Sequence, residues 1–304
     1  MNPFGLPRKH MQYVFAGKSA LSLVLRYLNA QNILPDKSVQ VLVPEWLGTW
    51  VYMIMHNYCF PTTVMNKKVR AMLVYHQWGF PQRMEKVTAY ARRHRLFLIE
   101  DCAHAIDSAY KGKRVGTFGN ASIWSLSKFF STPVGGAVYT KDKKLQQFVA
   151  HNRRRHDRQL EREVLRGLRQ GGAEVARAYA VYDRLIVCPS SAKEKTQSEY
   201  KRGVVERRSR NFALLRKALW GKKEEKLMEG SNVVPWMVPL FASSANKKIA
   251  EALGHAGYES GVYHFDVNRN MLRSNFRECV AVPCHQGLND ADLNKIIRII
   301  KALR

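Results

Sequence analysis

The run Leu96-Phe-Leu-Ile-Glu-Asp101 constrains this chain most. A continuous apolar stretch that ends on two carboxylates suits a strand buried on both faces, as in a parallel sheet covered by helices. In open α/β sheets the ligand lies beyond the carboxyl ends of such strands, and Asp101 falls there. A carboxylate at that point can keep a pyridine nitrogen protonated, which makes the ring an electron sink. His104, three residues on, can reach the same ring. The plainer alternative is that Asp101 caps the turn or helix that follows.

A second apolar segment, Ala121-Ser-Ile-Trp, leads into Ser125-Leu-Ser-Lys128. A lysine there can condense with an aldehyde. A serine three residues earlier can donate to a phosphate. The chain holds 50 Lys and Arg, so a Ser-x-x-Lys also arises by chance, and a solvated lysine is its ordinary meaning. The order is what narrows the reading: strand, Asp101, His104, Ser125, Lys128, then Gly135-Gly136 before the strand-like Ala137-Val-Tyr-Thr. That order fits a site for pyridoxal 5′-phosphate.

These stretches resemble the DegT/DnrJ/StrS sugar aminotransferase family, of the aspartate aminotransferase fold type I. The matching text is Ile99-Glu-Asp-Cys-Ala-His-Ala-Ile-Asp-Ser, then Tyr110-Lys-Gly-Lys-Arg-Val-Gly-Thr-Phe-Gly-Asn-Ala-Ser-Ile-Trp-Ser, then Lys128 and Gly135-Gly136-Ala-Val. The resemblance implies that Lys128 holds the cofactor as a Schiff base and that Asp101 pairs with its pyridine nitrogen. It places His104 beside the ring and Ser125 on the phosphate. Earlier in the chain, Gly17 opens an amphipathic run with Leu21, Leu25 and Leu28 at helical spacing. Small residues at a helix start expose backbone N–H groups to an anion, although a glycine before a helix is often only turn chemistry. The resemblance carries phosphate binding to Gly17, Lys18 and Ser19. It also calls for an aromatic residue stacked on the ring shortly after Pro44: Trp46 is the first choice and Trp50 the second, with a core tryptophan as the alternative.

The chain departs from the family in places. The serine-to-lysine spacing is short, and the usual Gly-Glu-Gly-Gly is Pro133-Val-Gly-Gly. After Tyr58-Cys-Phe-Pro, residues 62–68 lead almost directly into Val69-Arg-Ala-Met-Leu-Val-Tyr-His76, so one βα step is pared away. The family's asparagine–arginine motif gives way to Ser190-Ser191. Glu206-Arg-Arg-Ser-Arg-Asn-Phe stays close to Arg-Arg-x-Asn-Tyr. Such features resemble a divergent short branch. His76, at a strand end, is read as structural rather than catalytic.

The expected architecture is α/β: a mixed, mostly parallel sheet flanked by helices over 1–188, and a smaller C-terminal α+β domain over 189–304. The segment from Lys143 to about Arg184 reads as basic helix with a break at Gly171-Gly172. Asp290 or Asn289 caps a last helix over 293–303. Five scattered cysteines, none in Cys-x-x-Cys, read as reduced buried thiols, and no metal signature accompanies them. No apolar run is long enough to span a bilayer, and the first residues show no signal-peptide pattern, which fits a cytoplasmic protein.

The net charge of +26 is unusual. It favours acidic partners, either a nucleotide-linked sugar or merely a basic surface. No helix-turn-helix or zinc-finger pattern supports nucleic acid. The leading expectation is a homodimeric aminotransferase that moves an amino group from glutamate or glutamine to a keto-sugar. A protein that keeps the cofactor without amino transfer, and a nucleic-acid-associated protein, are the alternatives.

Overall fold

The computed structural model describes residues 5–171, 175, 177 and 180–304; Gly172, half of the expected glycine break, lies outside them. Seven strands form the main sheet: β1 (Met11–Val14), β2 (Gln40–Leu42), β3 (Phe60–Thr62), β4 (Val69–Tyr75), β5 (Phe97–Asp101), β8 (Ala121–Ser125) and β9 (Gly136–Tyr139). The short strands β6 (Ala109–Tyr110) and β7 (Lys113–Arg114) lie between β5 and β8 in sequence. The sheet order is β1-β9-β8-β5-β4-β2-β3. The pairs β2–β3, β2–β4, β4–β5 and β5–β8 are parallel, and only the pairs made by β9 are antiparallel. The sheet is therefore mixed and mostly parallel, as expected.

The apolar run of β5 is explained by its two faces. Ile99 packs with Leu21 and Leu25 of helix α1 (Gly17–Ala30). Leu98, pointing the other way, packs with Met84, Val87 and Ala91 of helix α3 (Met84–Arg93). Successive side chains of a strand enter opposite layers, so a strand with both layers filled has no polar face. Helix α4 (Lys143–Asn152) joins the α1 side through Leu145 and Val149. Helix α2 (Thr49–Met55) adds Ile54 and Met55 there. The basic segment expected as helix holds α4 and then α5 (Arg158–Gln170), capped by Asp157, whose carboxylate accepts from the Gln159 and Leu160 N–H groups.

The pared segment is visible at the sheet edge. β3 and β4 flank β2 and run parallel to it. Parallel neighbours ordinarily need a long crossover, usually a helix. Here residues 63–68 return without one. Asn66 Nδ2 donates to Gln40 Oε1 at 2.7 Å, and Gln40 N donates to Lys68 O at 3.0 Å.

Beyond helix α6 (Ser190–Lys201), helix α7 (Val204–Leu219) leads to a second, antiparallel layer. Strand β10 (Ser231–Asn232) pairs with β6, whereas β11 (Met237–Leu240), β13 (Phe276–Pro283) and β12 (Val262–Asp266) form their own sheet in that order. Helices α8 (Asn246–His255) and α9 (Asp290–Leu303) cover it through Ile249, Leu253, Ile296 and Ile300. Of the two candidate caps for α9, Asn289 is the one used. Its Oδ1 accepts from Asp292 N, and Asp292 accepts from Asn289 N, each at 3.0 Å. Trp78 and Phe80, just after β4, enter this C-terminal core, and Ala192, Val204 and Val234 enter the core around Trp124. The two layers are thus stitched together on both sides of position 188.

Candidate active site

β4, β5 and β8 are neighbours, and their carboxyl ends bring Tyr75, Asp101 and Ser125 to one edge. Asp101 is 3% exposed. Its Oδ1 accepts from Ala103 N at 2.9 Å. The turn-capping role raised as an alternative is therefore real, and it leaves Oδ2 uncommitted by that bond. Burial pushes the Asp101 carboxyl up to about 6, against the opposing pull of the Ala103 N–H, His76 and Lys128.

His104 is half-buried, and its Nδ1 meets the Tyr75 hydroxyl at 2.5 Å. Burial, then the nearby Lys128 charge, holds the imidazole well below its usual value. Burial, with Asp101 adding to it, raises the Tyr75 phenol well above its own. A neutral imidazole facing a protonated phenol accepts at Nδ1, so His104 carries its proton on Nε2. The other face of His104 stacks on Trp236, with ring centres 4.1 Å apart.

Lys128 lies in the loop between β8 and β9, where Phe129 N and Phe130 N both donate to Leu126 O. Its residue surface is open to solvent, yet its ammonium reaches into a recess, 4.7 Å from the centre of the Trp236 ring. Burial of that end lowers the ammonium from its ordinary value, and Glu259 and Asp101 oppose the shift.

The anion end of the site is made by backbone. Helix α1 begins at Gly17 after Ala16, which offers no side-chain cap. The first intrahelical donor is Ala20 N to Ala16 O, so the N–H groups of Gly17, Lys18 and Ser19 are unused by the helix. A Cβ on Gly17 would lie 3.1 Å from Ser125 Cβ, which puts the helix start directly against Ser125. A Cβ on Gly136 would lie 2.3 Å from Ala16 C and 2.6 Å from Gly17 N. The paired glycine lets β9 run against this helix start without displacing it. The Ser19 hydroxyl is committed elsewhere, donating to Tyr182 O at 2.6 Å; its backbone N–H is what it can offer an anion. Lys18 Nζ lies 3.9 Å from the centre of the Trp50 ring. Ser125 Oγ and Ser127 Oγ are 3.3 Å apart.

Behind Asp101, Glu100 is fully buried and accepts from three backbone N–H groups: Gly116 at 2.8 Å, Phe118 at 2.7 Å and Gly119 at 2.6 Å. His76 is also fully buried. Its Nδ1 accepts from Gln82 N, so its Nε2–H donates to Glu100 at 3.2 Å. It is a structural bracket, in line with the sequence reading.

The sequence-expected residues Asp101, His104 and Lys128 lie close to one another, and Gly17 lies against Ser125, all at the carboxyl edge of β5 and β8. Trp46 is placed differently: its ring stacks on His264 at 4.2 Å, nearly parallel, and it is 46% exposed. The aromatic residue beside Lys128 and His104 is Trp236, which sequence reasoning missed along with Tyr75, Glu259 and Arg208. The five cysteines are buried free thiols.

A parallel-rich sheet with an acid, a lysine and a helix start at its carboxyl edge defines an α/β protein whose sheet edge offers a carboxylate, an ammonium and unused backbone N–H groups. Residues 62–301 match the model of the DegT/DnrJ/EryC1/StrS aminotransferase family, and the chain belongs to that family. It is 43% identical over 89 residues to GDP-perosamine synthase of Escherichia coli O157:H7, covering 29% of this chain and 24% of that protein. It is 36% identical over 113 residues to L-glutamine:2-deoxy-scyllo-inosose aminotransferase of Streptomyces lividus, covering 36% and 25%. The aligned stretches thus span about a quarter of the length of these curated relatives. Among solved structures, the Streptococcus pneumoniae protein Spr1654 in its PMP-form superposes with a TM-score of 0.70 at 14% identity, covering 99% of this chain and 88% of that one. At that identity the likeness is one of fold.

Proposed function

We propose that this chain is a pyridoxal-phosphate-dependent aminotransferase acting on a keto-sugar, with 1–188 as its cofactor-binding domain and 189–304 as its small domain. The observation that carries the reading is the meeting of Asp101, Lys128, Ser125 and the α1 start at the ends of the adjacent strands β5 and β8. The residues fit the group. The N–H groups of Gly17, Lys18 and Ser19 with Ser125 Oγ form the cradle for a phosphate. Asp101 stands ready as counter-charge for a protonated ring nitrogen. His104 and Trp236 lie beside Lys128, whereas Trp46 stacks on His264 and Trp50 lies by the Lys18 ammonium at the α1 start.

When bound, pyridoxal phosphate supplies an aldehyde for amines and a ring that accepts electrons. Lys128 Nζ would hold the aldehyde, with loss of water, until a substrate amine displaced it; the freed amine would then take and return the proton at the amine-bearing carbon, a task that its lowered basicity suits. Asp101 holds the positive ring nitrogen; the charge it meets there offsets the burial that otherwise pushes its carboxyl towards neutrality.

Relatives that match part of this chain are named for a nucleotide-sugar product and for a glutamine donor. From those names and the +26 charge we take the substrate as a nucleotide-linked keto-sugar and the donor as glutamine or glutamate. A cytoplasmic homodimer is the assembly that goes with this reading. Among the described residues no helix is long and apolar enough to cross a membrane.

The test is to add pyridoxal phosphate to purified protein, record the visible absorption, reduce with borohydride and map the labelled peptide. A label on Lys128 supports the reading; none, or one on another lysine, refutes it. Amino transfer from glutamine or glutamate to nucleotide-linked keto-sugars, followed by mass spectrometry, then separates an active enzyme from a protein that only retains the cofactor.

A further inference from the structure

Arg208 is among the most deeply buried cations of this chain, at 3% exposure. It lies on the inward stripe of α7 with Val204, Asn211, Phe212 and Leu215. Among the described residues it makes no ion pair with a carboxylate. Its partners are neutral oxygens. Nε donates to Gln286 Oε1 at 2.8 Å, and Nη1 donates to Pro235 O at 3.2 Å and Trp236 O at 3.4 Å. Nη2 reaches Lys128 O at 3.5 Å, and the guanidinium lies over the Phe129 ring at 4.8 Å. Gln286 completes the set, its Nε2 donating to Phe129 O at 2.8 Å.

A buried, uncompensated cation is costly and persists where its hydrogen bonds hold something in place. The carbonyls held here belong to two segments. One is the loop that carries Lys128. The other carries Trp236, whose ring faces Lys128 Nζ. The loop's own bonds hold Leu126 to Gly135 and Ser131 to Glu199, whereas at Lys128 and Phe129 the backbone carbonyls are met by Arg208 and Gln286.

We propose that Arg208, with Gln286, is a positioning residue that clamps the Lys128 loop to the Trp236 segment and so sets where Lys128 Nζ points. The proposal deepens the reading of Lys128 as the cofactor lysine and rests on it. The groups that face the ammonium are Asp101 from β5, His104 after it, Glu259 from the loop after α8, and Trp236. Releasing the loop lets the ammonium move out into solvent, away from all four. Its basicity then returns upwards, since burial is the largest influence on it.

The experiment is competitive acetylation of the cofactor-free full chain across pH, with Lys128 labelling read by mass spectrometry. Wild-type, Arg208→Gln, Arg208→Lys and Gln286→Ala are compared. In wild type the Lys128 midpoint lies below that of an ordinary lysine. In all three variants it rises, and labelling at pH 8 falls roughly three-fold for each half-unit of rise. Arg208→Lys behaves like Arg208→Gln, because an ammonium keeps the charge but cannot span the carbonyls and Gln286 together. On loaded protein, kcat for amino transfer falls on the order of ten-fold or more, with KM changed much less.

A variant that folds, loses stability and keeps the wild-type Lys128 midpoint overturns the proposal, because it shows packing alone. Should Arg208→Gln not fold, the half-buried Gln286 gives the second route: a folded Gln286→Ala with an unshifted midpoint overturns it equally. If wild type fixes no cofactor on Lys128, the functional reading fails, and the acetylation arm still decides the clamp.

Discussion

Replacing Asp101 with Asn gives a stability change whose size depends on pH. Burial raises the Asp101 carboxyl from 3.8 to about 6 in the folded, cofactor-free chain. The unfolded chain releases that proton near the ordinary carboxylate value. Between the two, the folded state binds the proton more tightly, so raising the pH through this window lowers stability. A difference of about two units corresponds to roughly 3 kcal/mol, since each unit is worth about 1.4 kcal/mol. Asn is neutral, nearly the same shape, and its Oδ1 can still accept the Ala103 N–H that Asp101 accepts now at 2.9 Å. Below pH 4 the variant and wild type have nearly equal stability. Above pH 6.5 Asp101→Asn is more stable, by up to about 3 kcal/mol. The assay is urea unfolding of cofactor-free protein from pH 4 to 7.5, with the variant-minus-wild-type difference plotted so that other titrating groups cancel. A flat difference would mean that Lys128 and His76 already hold the carboxylate charged at no net cost, and the argument from burial would be wrong. A carboxylate governed by its cap alone would have a lowered value in the folded chain, and the variant would then lose stability relative to wild type as the pH rises, so the slope decides whether burial or the cap dominates at Asp101. Activity should move the opposite way, because Asn cannot hold a positive ring nitrogen; a more stable and inactive variant is the expected combination.

Three further substitutions test the scaffold. Gly136→Ala forces a Cβ to 2.3 Å from the Ala16 backbone; it should cost roughly 3 kcal/mol or more in urea unfolding or abolish folding, and a near-wild-type midpoint would refute the packing argument. Gly17→Ala brings its Cβ no closer than 3.1 Å to any neighbour, at Ser125 Cβ; stability should hold within about 1 kcal/mol, as alanine suits a helix. Titration with pyridoxal phosphate should show affinity falling about ten-fold, and undiminished affinity would remove the cradle from this helix start. Glu100→Gln sets an amide against backbone donors that now share a carboxylate; a loss of at least about 2 kcal/mol is expected by the same unfolding measurement, and a loss below about 0.5 kcal/mol would refute the anchoring role.

What was legible in the sequence was local. The apolar run of β5 announces a strand filled on both faces, and its terminal carboxylate then has to lie at the ligand edge. Asp101, Ser125 and Lys128 lie within one short stretch, so neighbouring strands carry them together. Trp236, Glu259 and Arg208 come from more than 75 residues further along the chain, and no local pattern links them to Lys128. Arg208 left a signal nonetheless: it falls four residues after Val204 and four before Phe212, on the apolar stripe of α7. In a chain so rich in arginine, a charge on an apolar stripe is worth more attention than the surrounding run. Trp46 shows the reverse case. Its position after a strand-ending proline matched the expected pattern, but the direction of its ring is set by His264, a contact from the opposite layer.

One departure from the family, the pared βα step, falls at the sheet edge, away from Asp101, Ser125 and Lys128. β3 is the outer strand of the main sheet, and the bare return over residues 63–68 lies beside it. Asp101, Ser125 and the Gly136 contact depend on β5, β8 and β9, further into the same sheet. A parallel sheet propagates register from strand to strand, so shortening its edge leaves the inner strands aligned. Met53, Phe60 and Val64 stand 52%, 52% and 66% exposed in and near the α2–β3 edge, and on the proposed function this edge is the wall left for the substrate. On the proposed function, cofactor capture and sugar selection rest on different parts of the chain and can fail separately. Labelling of Lys128 without amino transfer to any nucleotide-linked keto-sugar would place the divergence in that wall. Failure of labelling would place it at the carboxyl edge of the inner strands, where the sequence resembles the family most.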